Sequence, residues 1–208
     1  MPRAINLRSI LAIPAMYDLL NIVVGAHRSR TTFAKKSIRI KPGDRVLDIG
    51  CGSGEMYPYL IQASEYTGFD ASQPYITAAR KRFGNQASFH CSTVNATTLD
   101  KPSHYDLVVS YGVLHHLDDD EAEQLCKVAY AALKPGGRLL TCDGCYMPNQ
   151  SAIVRYLLSR DRGQYVRNQD GYLKISQEVF PDVSSSIHHN LLRIPYTHIF
   201  LECRKPLD

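Results

Sequence analysis

From Val46 onward, short apolar runs rich in β-branched and aromatic residues alternate with stretches whose apolar positions recur every three to four residues. That is the pattern of a parallel sheet wound with helices. The apolar runs predict strands at Arg45 to Ile49, Glu65 to Asp70, Ala87 to Cys91, Asp106 to Ser110 and Arg138 to Asp143. Helical spacing covers Met56 to Ala63, Gln73 to Phe83 and Glu121 to Leu133. Lys134-Pro135-Gly136-Gly137 reads as the turn closing the last helix, because glycine accepts a left-handed cap and proline cannot continue the helix. Two further helices are expected at Ser151 to Ser159 and Gly171 to Phe180. Strands then follow at Ile187 to Arg193 and Tyr196 to Cys203, joined at Pro195 by a connection so short that they must pair antiparallel.

The chain has 208 residues, of which 44% are hydrophobic and 21% charged, near the averages of folded globular chains and unlike disordered, collagen-like or coiled-coil ones. A net charge of +4 names no partner by itself. The longest apolar stretch, Ile10 to Ala26, is broken by Pro14, Asp18 and Asn21 and falls short of the roughly 20 clean residues of a membrane span. No secretion signal is recognisable, so a cytoplasmic location is expected. Six scattered cysteines read as reduced thiols. Cys142-Asp143-Gly144-Cys145 has metal-site spacing but no second ligand pair, and no metal is expected.

The segment with most chemical content is Val46-Leu47-Asp48-Ile49-Gly50-Cys51-Gly52-Ser53-Gly54-Glu55. A buried strand enters three glycines, so the backbone can turn tightly and approach a ligand without Cβ obstruction. The spacing is G-x-G-x-G rather than the G-x-G-x-x-G of dinucleotide sites. An acid stands two residues before the first glycine, where it suits a cationic ligand group better than a pyrophosphate. Asp70 ends the next strand, where a carboxylate can accept both hydroxyls of a ribose.

These segments, followed in order by Gly68-Phe69-Asp70-Ala71-Ser72, Tyr105 to Leu117 and Leu133 to Arg138, resemble the class I S-adenosylmethionine-dependent methyltransferases of types 11 and 12. The resemblance covers about Gly43 to Asp143. It implies an α/β fold, a Rossmann-like doubly wound sheet of seven strands, mostly parallel with one antiparallel strand. Around a cofactor-binding core at 42–145 the flanking patterns predict a helical lid (1–41), a helical cap (146–180) and a terminal hairpin (181–208), and the length predicts a single domain. The resemblance also implies S-adenosyl-L-methionine as cofactor and S-adenosyl-L-homocysteine as product. Asp48, Gly50, Gly52 and Ser53 would line the methionine moiety, and Asp70 the ribose. Ala71, Thr93 and Val94 would border the adenine, and the carbonyls of Ser110 and Tyr111 would take the amino group. Tyr17-Asp18-Leu19-Leu20-Asn21 and His27-Arg28-Ser29-Arg30 are similar to the entry helix of the ubiquinone and menaquinone C-methyltransferases. That likeness would lay Tyr17 over the cofactor and bring Arg28, or Arg30, to its carboxylate; an amphipathic helix with a packed tyrosine and solvated arginines is the alternative.

Methyl transfer from a sulfonium needs positioning, exclusion of water and sometimes a base. His115 and His116 follow the fourth strand at the sheet edge where such ligands bind and are the candidate bases. Tyr146, Arg160 and Arg162 are the candidate acceptor contacts, the arginines as a clamp for an anion. The expected acceptor is a small molecule, because the Asn/Asp-Pro-Pro-Tyr motif, the Pro-Cys nucleophile and a separate RNA-binding domain of nucleic-acid methyltransferases are not recognisable. A nucleic-acid methyltransferase and a silent cofactor-binding module stand as alternatives, and the sequence does not state the oligomeric state.

Overall fold

The computed structural model describes residues 21–94, 99, 101–161 and 163–207. Helix α1 (Ala26–Ser37) precedes β1 (Arg45–Ile49), β2 (Glu65–Asp70), α2 (Gln73–Phe83), β3 (Ser88–Cys91), β4 (Tyr105–Tyr111), α3 (Asp119–Ala132) and β5 (Leu133–Tyr146). There follow α4 (Ala152–Ser159), β6 (Arg167–Asn168), α5 (Gln169–Gln177), β7 (Asp182–His189) and β8 (Thr197–Arg204).

The strands form one sheet in the order β3-β2-β1-β4-β5-β8-β7, with the two-residue β6 added beside the end of β5. β1 to β5 pair in parallel, whereas β8 runs antiparallel to both β5 and β7. The path is therefore seven-stranded and mixed, with one reversed strand, as the resemblance implied. From β1 the chain moves outward through β2 and β3 and returns on the other side at β4, so the strand order reverses between β1 and β4. Open α/β sheets bind ligands at the carboxyl edge of that point.

Alternation of side chains gives the sheet two cores. Leu47, Val108, Leu139, Ile199 and Leu201 pack with Leu125, Cys126, Ala129 and Phe180 on one face. Val46, Leu107, Val109, Leu140 and Phe200 pack with Phe33, Ile76 and Ala79 on the other. Helix α3 starts on a capping box in which Asp118 accepts the Glu121 N–H and Glu121 accepts the Asp118 N–H.

Three sequence expectations are corrected. Met56 to Ala63 forms a short 3-10 turn at Tyr57–Tyr59 and no α-helix, since Pro58 within it brings no N–H to a ladder. Lys134-Pro135-Gly136-Gly137 is the irregular start of β5. The register against β4 jumps from Tyr105↔Leu133 to Leu107↔Arg138, and Gly136 N–H donates to the carbonyl of Pro206, drawing the segment into the sheet. The last hairpin also opens earlier than expected, with β7 at Asp182–His189. No helix among the described residues is long and apolar enough to cross a membrane.

Candidate active site

At the carboxyl edge of β1, β2, β4 and β5, the strand ends, the α1 entrance and the cap enclose a cavity of about 1190 Å³. The glycine loop forms its floor. Gly50, Gly52 and Gly54 have φ of 75°, 57° and 81°, so an L side chain would be strained at each. A Cβ on Gly50 would fall 2.4 Å from Val113 Cγ2. Asp70 braces the loop by accepting the Gly52 N–H at 3.0 Å and the Ser72 N–H at 2.8 Å, and each carboxylate oxygen keeps a second lone pair.

Eight buried side-chain polar atoms have no hydrogen-bond partner among the described residues, and five of them belong to residues lining this cavity: Asn21, Arg30, Asp48, Asp143 and His198. Buried polar groups are rarely left so, and their concentration in one cavity marks a place for ligand atoms. They fall in two sets. At the β1 end, Arg30 Nε is an unpaired donor and Asp48 Oδ1 an unpaired acceptor. Asp48 Oδ2 accepts the Tyr66 hydroxyl at 2.6 Å. Burial raises Asp48 to about 7 despite that bond, with the charges of Glu55 and Asp70 adding to the rise.

At the β5 and β8 end, His115 Nδ1 is 2.8 Å from Asp143 Oδ1, which also accepts the His115 N–H, and Nε2 lies 3.4 Å from Asp161. Burial alone would push His115 down, but the two carboxylates outweigh it and raise it to about 9. The imidazolium form of His115, hydrogen-bonded to Asp143 through Nδ1 and beside Asp161 through Nε2, is therefore the favoured one. His116 lines the cavity with its ring 4.3 Å from that of His115.

The cap is pinned over this end. Gly163 packs so closely that a Cβ would lie 2.0 Å from His115 Cδ2, and Tyr165 N–H donates to the His115 carbonyl. Arg167 donates to the carbonyls of Leu114 and Leu117 and to Asp119, holding the loop that carries both histidines. Arg193 N–H donates to the Val24 carbonyl and joins the β7–β8 connection to the entrance of α1.

Of the residues singled out from sequence, Asp48, Gly50, Gly52, Asp70, Ala71, Thr93, Val94, Tyr111, His115, His116 and Arg160 line the one cavity. Tyr111 donates its hydroxyl to Ser29. Arg28 does not reach the cavity: it is exposed on α1, and Arg30 lines the wall instead. Ser53 is buried outside it, bonded to Glu55, and Ser110 is buried in β4. Tyr146 borders a separate, smaller cavity and lies under Arg155. Tyr17 and Arg162 lie outside the described residues. Sequence reasoning did not find Asp161, Tyr196 and His198, whose only signal is a meeting of distant segments.

Fold, switch-point cavity and glycine loop define a nucleotide-type cofactor site of the methyltransferase kind. The methyltransferase domain family matches residues 47–139. The chain is 31% identical over 188 residues to the 2-phytyl-1,4-naphtoquinone methyltransferase of Synechococcus elongatus, covering 81% of this chain and 79% of that protein. It belongs to the class I S-adenosylmethionine-dependent methyltransferases. It is also 28% identical over 155 residues to phosphoethanolamine N-methyltransferase 1 of Zea mays, and spans about a third of the length of such plant relatives. Among solved structures, the phosphoethanolamine N-methyltransferase 2 of Haemonchus contortus with phosphomonomethylethanolamine and S-adenosylhomocysteine shares the fold. The TM-score is 0.74 at 18% identity, over 99% of this chain and 61% of that one.

Proposed function

We propose that the protein binds S-adenosylmethionine at the β1 end of the cavity and methylates a small-molecule acceptor held at the β5 and β8 end, beneath the cap. The observation that carries this reading is the unpaired couple of Arg30 Nε and Asp48 Oδ1, a cationic donor and an acidic acceptor lining one cavity. An amino acid zwitterion satisfies both at once, the carboxylate on Arg30 and the ammonium on Asp48. Asp70 offers its remaining lone pairs to a ribose, and Ala71, Thr93 and Val94 border the space beside it. The bound cofactor supplies an electrophilic methyl on a sulfonium, and the protein's part is to orient, enclose and exclude water.

Leu125, Leu157, Leu192 and Ile194 give the cavity apolar walls, with Arg160 among the lining residues. That composition favours an acceptor with an apolar body and a polar reacting end. The relatives named above, which by their names act on a naphthoquinone and on phosphoethanolamine, are consistent with a small acceptor.

Calorimetric titration tests the cofactor end. S-adenosylhomocysteine should bind the wild type and fail to bind a folded Asp70→Ala variant with comparable strength, and NAD should bind far more weakly. Tight NAD binding would move the protein to another class. A screen of metabolites with methyl-labelled cofactor tests transfer itself.

A further inference from the structure

The second set of unsatisfied groups has a polarity of its own. Tyr196 donates its hydroxyl proton to Asp161 Oδ2 at 2.5 Å. With that proton committed, the phenolic oxygen can only accept. His198, in β8, lies two residues after Tyr196, which immediately precedes that strand; its ring is 4.8 Å from that of Tyr196, and its Nδ1 is buried with no partner among the described residues. Both side chains line the cavity. Burial holds His198 down at about 4, with His115 pushing the same way and Asp161 opposing, so this imidazole is neutral at physiological pH. Asp143 stands apart from this pair. It is paired with Ile199 whereas Gly144 is paired with His198, so Asp143 leaves the opposite face of the sheet and supports His115 from there.

Resting on the reading above, we propose that Tyr196 and His198 seat the acceptor's reacting group and that this group is a hydroxyl or an amine, not a carboxylate or a phosphate. Asp161, held by the His115 imidazolium, is the positioning residue that sets the seat's polarity. A hydroxyl or amine donates to Tyr196 Oη and keeps a lone pair for the incoming carbon; as that bond forms and the methyl–sulfur bond breaks, the acceptor's proton passes to Tyr196, whose own proton moves to Asp161. A carboxylate or phosphate brings only acceptors to an oxygen that cannot donate, and brings negative charge beside the Asp161 carboxylate. The neutral His198 complements either favoured group, since one nitrogen of an uncharged imidazole donates and the other accepts. Gly144 is part of the same construction: a Cβ there would lie 2.3 Å from Tyr196 Oη, so only glycine lets the phenol reach Asp161.

The test is a nitrogen-15 NMR titration of histidine-labelled protein with two probes of similar shape, phenol and benzoate, run with and without S-adenosylhomocysteine. Failure of S-adenosylhomocysteine to bind would count against the cofactor reading and leave the probe comparison standing. Phenol should move the His198 Nδ1 resonance saturably and bind at least tenfold tighter than benzoate. Tyr196→Phe should weaken phenol at least fivefold with S-adenosylhomocysteine affinity within twofold of wild type. Asp161→Asn should bring benzoate to within about threefold of phenol, an outcome that a merely structural Asp161 would not give. Benzoate binding as tightly as phenol to the wild type, or a His198 resonance that neither probe moves, would overturn the proposal, and both readings need only the wild-type protein.

Discussion

The Tyr196 hydroxyl occupies the space that a side chain on residue 144 would need, since an ideal Cβ on Gly144 falls 2.3 Å from Oη and 3.1 Å from Leu158 Cδ2. No positive φ constrains Gly144, so the demand is one of volume alone. Gly144→Ala should displace the phenol, break its bond to Asp161 and cost roughly 1 to 3 kcal/mol of overpacking. In a chain of this size that lowers Tm by several degrees. Thermal unfolding followed by circular dichroism checks it, and an unchanged Tm would mean that the phenol has other room.

His115 should give stability a basic limit. Its folded value is raised to about 9 from an ordinary 6.5, so the pairing with Asp143 and Asp161 contributes in full below about 6.5 and is lost as pH rises through about 9. Asp161 is shifted the other way: burial would raise it, but His115 outweighs that and holds it below the usual carboxylate range. Its share is present above its ordinary value near 4 and lost as pH falls through the lower folded one. Urea unfolding between pH 5 and 10 should show stability falling by up to about 1.4 kcal/mol per pH unit between about 6.5 and 9, and His115→Gln should flatten that limb.

Asp48 is shifted upward like His115, but in its case it is the charged form that folding disfavours. Burial raises it to about 7, so in the ligand-free protein its ionisation costs stability progressively as pH rises from the ordinary carboxylate range to about 7. An ammonium group bound to Asp48 favours the ionised form, so below about pH 7 the affinity for S-adenosylhomocysteine should drop by up to tenfold per pH unit. Asp48→Asn should lose that pH dependence and most of the affinity while raising the ligand-free Tm above pH 7. Calorimetry across pH 5.5 to 8 tests the binding, and a wild-type affinity flat over that range would remove the ammonium from Asp48.

What could be read in the sequence was what is encoded over a few residues. The bounds of β1, β2 and α2 follow from local apolar runs and from Ser72-Gln73-Pro74 at a helix start, and the glycine loop declares itself by spacing. Pro58 within the expected Met56 to Ala63 helix was a local warning against it. The start of β5 was not visible, because Gly136 and Gly137 join the sheet through bonds to Lys205 and Pro206, residues almost seventy positions away. The same distance hides the acceptor end. Asp161 reads locally as part of an arginine-flanked surface cluster and acquires its place only when the cap brings it to His115, in the turn after β4, and to Tyr196, just before β8.

The last test separates two arginines that the sequence could not rank. Arg28 and Arg30 are two positions apart on α1, which turns them about 200° from one another around the helix. Arg28 is exposed, whereas Arg30 lines the cavity with Nε buried and unpaired among the described residues. If Arg30 receives the cofactor carboxylate, Arg30→Ala removes a charge-assisted hydrogen bond of roughly 1.5 to 3 kcal/mol and should weaken S-adenosylhomocysteine at least tenfold. Arg28→Ala should change it by less than twofold. Adenosine, which lacks the amino acid, should bind the wild type and Arg30→Ala alike, and this comparison isolates the carboxylate contact from any general loosening of α1. A loss of adenosine binding in Arg30→Ala equal to the loss of S-adenosylhomocysteine binding would assign Arg30 to the packing of the cavity wall instead.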